Sequence, residues 1–225
     1  MSISVRLATI DDLEAIVDID VAAYLDTPFR NAMFPASKSV KPGTEDQKEF
    51  LREQIRPAIQ STARRWIVAV DHGAEGLGER VVGCAQWTPP RKRDALTLEN
   101  ADKAKDTDQK SSPNIPAYVD MGAVQAANAE IENLMTNGTS AFQDKDRADM
   151  WTLSAIGVDP NHRRKGVGKM LTLWGLDQAV ASNQDVWLIA TPSGYPLYSS
   201  LGLVEVAKGS RCGEPQFLMT KFIKP

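Results

Sequence analysis

The sequence predicts a mixed α/β fold, a central β-sheet flanked by helices, and three stretches carry the prediction. DMWTLSAIGV (149–158), the run from Arg163 to Ser182 and DVWLIAT (185–191) read as strand, helix and strand. RRWIVAV (64–70) and RVVGCAQWTP (80–89) are two β-rich runs around the glycine-rich HGAEGLGE, which makes a hairpin. SVRLA (4–8) alternates apolar and polar residues ahead of a helical pattern. The first of these is a βαβ unit, so its strands should lie roughly parallel and be joined by a right-handed crossover.

In chain order, Thr9 and Asp12 resemble a capping box that opens a helix with Leu13, Ile16, Val17, Val21 and Tyr24 on one face. DTPFRNAMFP (26–35), with two prolines among aromatic and polar residues, reads as a loop. KPGTEDQKEFLREQIRPAIQ (41–60) gives an acid-started helix with Phe50, Leu51, Ile55 and Ile59 inward, kinked or ended by Pro57. After the hairpin, residues 89–146 turn charged and polar and read as an insertion, mobile around KAKDTDQKSSPN (103–114). Its one helix lies in AYVDMGAVQAANAEIENLM (117–135), where Met121, Val124, Ile131 and Met135 repeat at helical spacing. In the βαβ helix Val167, Met170, Leu171 and Trp174 face inward; a short helix around YPLYSSLG (195–202) and two strands, LVEVA (203–207) and QFLMTKFI (216–223), close a single domain over 1–225.

With 225 residues, 42% of them hydrophobic, the chain can bury a substantial core. A net charge of −3 leaves no global basic field for nucleic acid or an anionic membrane. No apolar run approaches the roughly 18 residues of a membrane span, and the opening residues lack a signal-peptide pattern, so a cytoplasmic protein is expected. Cys84 and Cys212 lack C-x-x-C spacing, and His72 and His162 lack paired-histidine spacing, so reduced cysteines and no metal are expected.

VDPNHRRKGVGK (158–169) is a local basic exception between the strand ending at Val158 and the helix beginning near Gly166. Helix starts leave N–H groups unpaired at a positive dipole end, and glycine lets an anion approach them. The stretch is therefore a phosphate cradle or a solvated basic turn. The Walker and dinucleotide glycine patterns are both absent. Arg163, Gly166 and Gly168 instead match the R-x-x-G-x-G turn of the Gcn5-related N-acetyltransferase (GNAT) superfamily, which the chain resembles. YSSLGL (198–203) is similar to that family's Y-x-x-L-G-F segment, and RLATIDDLEAIVDI (6–19) to its opening strand and helix. The resemblance is loose over the whole chain and close over 149–206; the long insertion and TPSGYPLY (191–198) resemble fungal members. Thr191 stands where many members have asparagine, and Leu203 where phenylalanine is common.

The resemblance implies a GNAT fold whose strands 149–158 and 185–191 splay apart to hold acetyl-CoA as acyl donor. The backbone of Ile156, Gly157 and Val158 would pair with the pantetheine arm, and an N–H near Val158 would polarise the thioester carbonyl. Amides from Arg164 through Lys165, Gly166, Val167 and Gly168 to Lys169 would hold the pyrophosphate, with the side chains of Arg163, Arg164, Lys165 and Lys169 adding charge. Thr191 and Tyr198 complete the cofactor contacts. Tyr198 matches the tyrosine that protonates the CoA thiolate in many members; the alternative is a core tyrosine, and Tyr195 lies on about the same helical face. Asp149 is the carboxylate that family analogy places to take the amine proton. Strand alternation sets Asp149, Trp151 and Leu153 on one face and Thr152 and Ser154 on the other, so both cannot serve the substrate without a bulge. Phe29, Arg30, Phe34 and Tyr118, with Met121, would wall the acceptor pocket, or pack as ordinary residues.

The expected activity is direct acetyl transfer from acetyl-CoA to a primary amine of a small molecule, by a monomer or homodimer that binds neither nucleic acid nor membrane. Acetylation of a peptide or protein lysine or N-terminus, and a catalytically idle acyl-CoA-binding module, are the open alternatives.

Overall fold

The computed structural model describes residues 2–73, 78–91, 115–142 and 145–223. The elements are β1 (Ile3–Leu7), α1 (Leu13–Tyr24), α2 (Pro28–Met33), α3 (Glu45–Gln60), β2 (Arg65–Asp71), β3 (Arg80–Thr88), α4 (Met121–Asn137), β4 (Trp151–Val158), α5 (Val167–Ala181), β5 (Val186–Ala190), α6 (Tyr195–Ser200), β6 (Val204–Arg211) and β7 (Glu214–Lys221). The strands form one mixed sheet in the order β1-β2-β3-β4-β5-β7-β6. Among the described residues only β4 and β5 run parallel, joined by α5 as the βαβ reading requires. Residues 92–114, with the KAKDTDQKSSPN stretch, lie outside the described residues.

Burial on both faces follows from strand alternation. In β2, Ile67 and Ala69 pack under α5 with Trp87, Leu171 and Leu188. Trp66, Val68 and Val70 pack on the opposite face with Ile16 and Val17 of α1 and Ile55 of α3. Each such aliphatic side chain stabilises the fold by about 1.5–3 kcal/mol. A third cluster, Leu134, Phe142, Met150 and Leu218, lies where α4 covers the far half of the sheet. Gly175 makes room for the Trp87 ring beneath α5: a Cβ there would fall 2.1 Å from it. The Trp87 indole N–H in turn donates to the Leu171 carbonyl at 3.2 Å. At the entry to α1, Asp12 accepts from the Thr9 N–H at 2.7 Å and from both terminal nitrogens of Arg6 at 2.7 and 2.9 Å.

Several boundaries differ from the sequence reading, each for a local reason. DTPFRNAMFP contains α2: the Thr27 hydroxyl accepts from the Arg30 N–H, and Pro28 occupies the first helical position, where a missing N–H costs nothing. Pro57 does not end α3, which continues to Gln60. α4 starts at Met121, because Asp120 caps it by accepting from the Ala123 N–H at 3.0 Å; Tyr118 lies in the turn before it. β4 starts at Trp151, leaving Asp149 in the turn Arg147–Asp149. β6 runs on to Arg211 and β7 begins at Glu214, because Cys212 (φ 51°) and Gly213 (φ 81°) form a two-residue turn whose positive angles suit the twist of a hairpin.

Candidate functional site

The pairing of β4 with β5 stops at Leu153↔Leu188, although β4 runs on to Val158. A bulge marks the departure: against β3, Trp87 faces Leu153 while Gln86 faces Ala155, so Ser154 is the extra residue. Before the bulge Trp151 and Leu153 face α5, and after it Ile156 and Val158 do. The strands part there, and a cleft of about 770 Å³ opens between them. The end of α1, the first turn of α5 and α6 close its sides.

Ile156 turns its backbone into this gap. The Tyr24 hydroxyl donates to the Ile156 carbonyl at 2.8 Å and accepts from the Ile156 N–H at 3.3 Å. By alternation the Val158 N–H points the same way. Burial pushes the Tyr24 phenol up to about 12, so it remains a hydroxyl.

The basic turn forms the mouth of the cleft. Arg164 (φ 62°) and Gly166 (φ 84°) take left-handed backbone angles that fold the chain back into α5. The first turn of α5 leaves the N–H groups of Val167, Gly168 and Lys169 without intrahelical acceptors. Beneath the turn, Asp159 accepts from the Asn161 N–H at 2.8 Å and from Arg80 at 2.7 Å. The buried His162 ring lies between Asp71 and Asp159, 3.6 Å from both. Among the described residues no three His, Cys, Asp or Glu side chains form a metal-binding group.

The cleft brings together ten of the residues singled out in the sequence: Ile156, Val158, Arg163, Arg164, Gly166, Val167, Gly168, Lys169, Thr191 and Tyr198. Lys165 is exposed and outside its lining. Gly157 faces away from it: a Cβ there would meet Ile19 at 3.0 Å, so its smallness admits α1 rather than a ligand. Tyr198 is buried on the cleft wall, and burial raises its phenol well above the ordinary range. Gly194 makes room for that ring, since a Cβ would fall 2.8 Å from it. Tyr195 points elsewhere and packs against Phe217 at 4.7 Å between centroids. Leu203 is a core residue, 2% exposed. Asp149 is not brought to the cleft. It lies beyond the end of β4 that stays paired with β5, near Arg91 at 3.8 Å, while the cleft opens at the other end of the strand.

A second cavity of about 400 Å³ adjoins the cleft across Tyr24, Leu153, Ser154, Ala155, Ile189 and Thr191. Asp20, Thr27, Phe29 and Arg30 wall it from α1 and α2, Asn128 and Ile131 from α4, and Arg211, Glu214 and Gln216 from the β6–β7 hairpin. Phe29 and Arg30 are thus placed together as expected, but Phe34 and Tyr118 are not. Those two rings stack on each other at 6.4 Å, with Phe50 edge-on to Phe34 at 5.6 Å. The Asp120 N–H, bonded to the Met33 carbonyl at 2.8 Å, ties their turn to the outer end of α2. Arg30 pairs with Asp20 at 2.5 Å, both largely buried. Burial raises the Asp20 carboxyl, and the Arg30 charge only partly offsets it. Asp20, Asn128, Arg211, Glu214 and Gln216 belong to no motif in the sequence and meet only in the fold. The available signal was Cys212-Gly213 between β-rich runs, which marks a hairpin and so puts Arg211 opposite Glu214.

This fold, a mixed sheet opened between its one parallel pair, is that of the acetyltransferases. A protein from Corynebacterium glutamicum described as histone acetyltransferase HPA2 and related acetyltransferase superposes with a TM-score of 0.64 at 21% identity, over 100% of this chain and 98% of its own. Mosquito arylalkylamine N-acetyltransferase like 5b gives 0.61 at 17% identity, over 98% and 99%. PaiA N-acetyltransferase from Thermoplasma acidophilum, in complex with coenzyme A, gives 0.53 at 12% identity, over 99% of both. Residues 116–202 match the model of the acetyltransferase (GNAT) family. The structural likeness gives the fold, and the family match spans β4, α5, β5 and α6, the elements around the cleft.

Proposed function

We propose that the protein transfers an acetyl group from acetyl-CoA directly to the primary amine of a small molecule. The observation that carries this reading is the parting of β4 from β5 where the first turn of α5 closes the wedge. The strand edge at Ile156 and Val158 suits the amide groups of a pantetheine arm, and the Tyr24 hydroxyl marks that position by occupying both groups of Ile156. The N–H groups at the start of α5, with Arg163, Arg164 and Lys169, suit a pyrophosphate. The coenzyme A complex of PaiA supports the donor.

Bound in the cleft, acetyl-CoA supplies the thioester. The Val158 N–H donates to the carbonyl oxygen as negative charge develops there. Tyr198, kept protonated by burial, gives its proton to the departing thiolate. Asp20, on the acceptor side, takes the proton that the attacking amine must lose, and burial strengthens its hold on that proton. It replaces Asp149, which the fold keeps away from the cleft. Walls from α2, α4 and the hairpin around a 400 Å³ space favour a small molecule over a peptide. The chain reads as one fungal-type domain of the cytoplasm; no helix among the described residues is long and apolar enough to cross a membrane.

The test is release of free CoA thiol from acetyl-CoA over a panel of primary amines. Turnover is expected in the wild type. Absence of turnover with every amine, while acetyl-CoA still binds, would leave only an acyl-CoA-binding module.

A further inference from the structure

One cation on the walls of the acceptor cavity has no ion-pair partner among the described residues. Four charged side chains line it: Asp20, Arg30, Arg211 and Glu214. Asp20 and Arg30 neutralise each other at 2.5 Å. Among the described residues Arg211 has no carboxylate within 4.0 Å, and its Nε is buried without a hydrogen-bond partner.

The nearby acids are committed elsewhere. Glu130 of α4 accepts from the Ser210 hydroxyl at 3.1 Å and the Cys212 N–H at 3.0 Å, which ties the hairpin tip to α4. Glu214 accepts from the Gln216 amide at 3.2 Å. The Arg211 guanidinium lies 3.3 Å over the Phe29 ring. That contact fixes its plane, and among the described residues its Nε is left without an acceptor. Burial weakens its hold on its proton, the opposite of what a built-in ion pair would do. A planar, oriented cation facing an enclosed cavity is a seat for a planar anion.

Resting on the acetyl-transfer reading, we propose that the acceptor amine also carries a carboxylate, which Arg211 receives across the cavity while the amine points to β4 and Tyr24. The substrate class is then amino acids and other amino carboxylates. Arg211 sets specificity and takes no part in the transfer itself.

The experiment compares kcat/KM for amines that differ only in the carboxylate: phenylalanine against phenethylamine, and 4-aminobutyrate against propylamine. Acetyl-CoA binding is measured alongside by calorimetry, in the wild type and in Arg211→Gln and Arg211→Lys. The wild type should prefer the carboxylate-bearing member of at least one pair by ~10-fold or more. Arg211→Gln should erase that preference by raising KM for that member, and Arg211→Lys should keep part of it, with acetyl-CoA affinity unchanged in both. Equal use of both members overturns the proposal, as does preference for the plain amine, a preference that survives Arg211→Gln, or no reaction of any of the four while acetyl-CoA binds. Failure of the wild type to bind acetyl-CoA overturns the transfer reading beneath it, and is seen separately in the calorimetry.

Discussion

The two cavities that meet at Tyr24 are built from different material. The proposed donor cleft is mostly backbone: a strand edge exposed by a bulge, a turn bent by Arg164 and Gly166, and the first N–H groups of α5. The proposed acceptor cavity is mostly side chains, sent in from α1, α2, α4 and the β6–β7 hairpin. A backbone site depends on where the chain can pass, so its shape survives most side-chain changes. A side-chain site depends on each residue that lines it, and its specificity sits in a few charges.

The sharpest test of that division is Tyr198, the side chain proposed to protonate the thiolate. Tyr198→Phe should lower kcat by roughly 10²- to 10⁴-fold while acetyl-CoA affinity stays unchanged, read by thiol release and calorimetry. The pH profile follows from the same residue. Burial raises the phenol above its ordinary 10.0, so Tyr198 keeps its proton up to that pH. Turnover should rise as the amine deprotonates and show no alkaline fall below pH 10.0; a fall there would assign the acid role to another group.

The acceptor side should be fragile in stability as well as specificity. Arg30→Ala strands the Asp20 carboxylate in a buried place and should cost about 3 kcal/mol in urea unfolding. An undiminished midpoint would mean that the pair is open to water. On the donor side the reverse holds: Arg163→Ala or Lys169→Ala should each weaken acetyl-CoA binding by less than about tenfold, because main-chain donors remain. Complete loss of binding in either variant would break the contrast between the two cavities.

The smallest effect lies outside both. Asp12→Asn should cost about 1 kcal/mol at neutral pH. Burial alone would raise the Asp12 carboxyl, but hydrogen bonds from Arg6 and Thr9 outweigh it and hold it below 3.8. A carboxyl lowered on folding stabilises the native state above its unfolded pKa. The advantage over Asp12→Asn should therefore be complete above pH 3.8 and vanish as pH falls through the lower native value, read by unfolding at stepped pH.

The same contrast explains what the sequence could disclose. The donor turn is contiguous, so Arg163, Gly166 and Gly168 were legible in one short window, and the βαβ unit around them followed from hydrophobic period. The bulge at Ser154 was not, because it is a property of β4 against β3. Misjudged positions cluster where capping or turn chemistry overrides composition: Pro28 opens a helix, Asp120 delays one, and Cys212-Gly213 extends two strands. Arg211 reaches the acceptor cavity only through that last turn, far from Asp20 and Arg30 in sequence. Asp149 is separated from the cleft by distance along a strand, since it lies at the paired end of β4 and the cleft opens at the parted one.

The most direct measurement is thermal denaturation with acetyl-CoA, CoA, ATP or NAD at equal concentration, in the wild type and in Gly168→Trp. A Cβ at residue 168 meets only ordinary contacts, 3.4 Å from Leu197 and 3.8 Å from Val158, so the variant should fold while its indole blocks the cleft. A ligand at 100 times its dissociation constant stabilises the native state by about 2.7 kcal/mol. The account predicts that acetyl-CoA and CoA alone raise the wild-type midpoint and that Gly168→Trp abolishes the rise. An unmoved midpoint with both CoA ligands, or a rise that persists in Gly168→Trp, would contradict it.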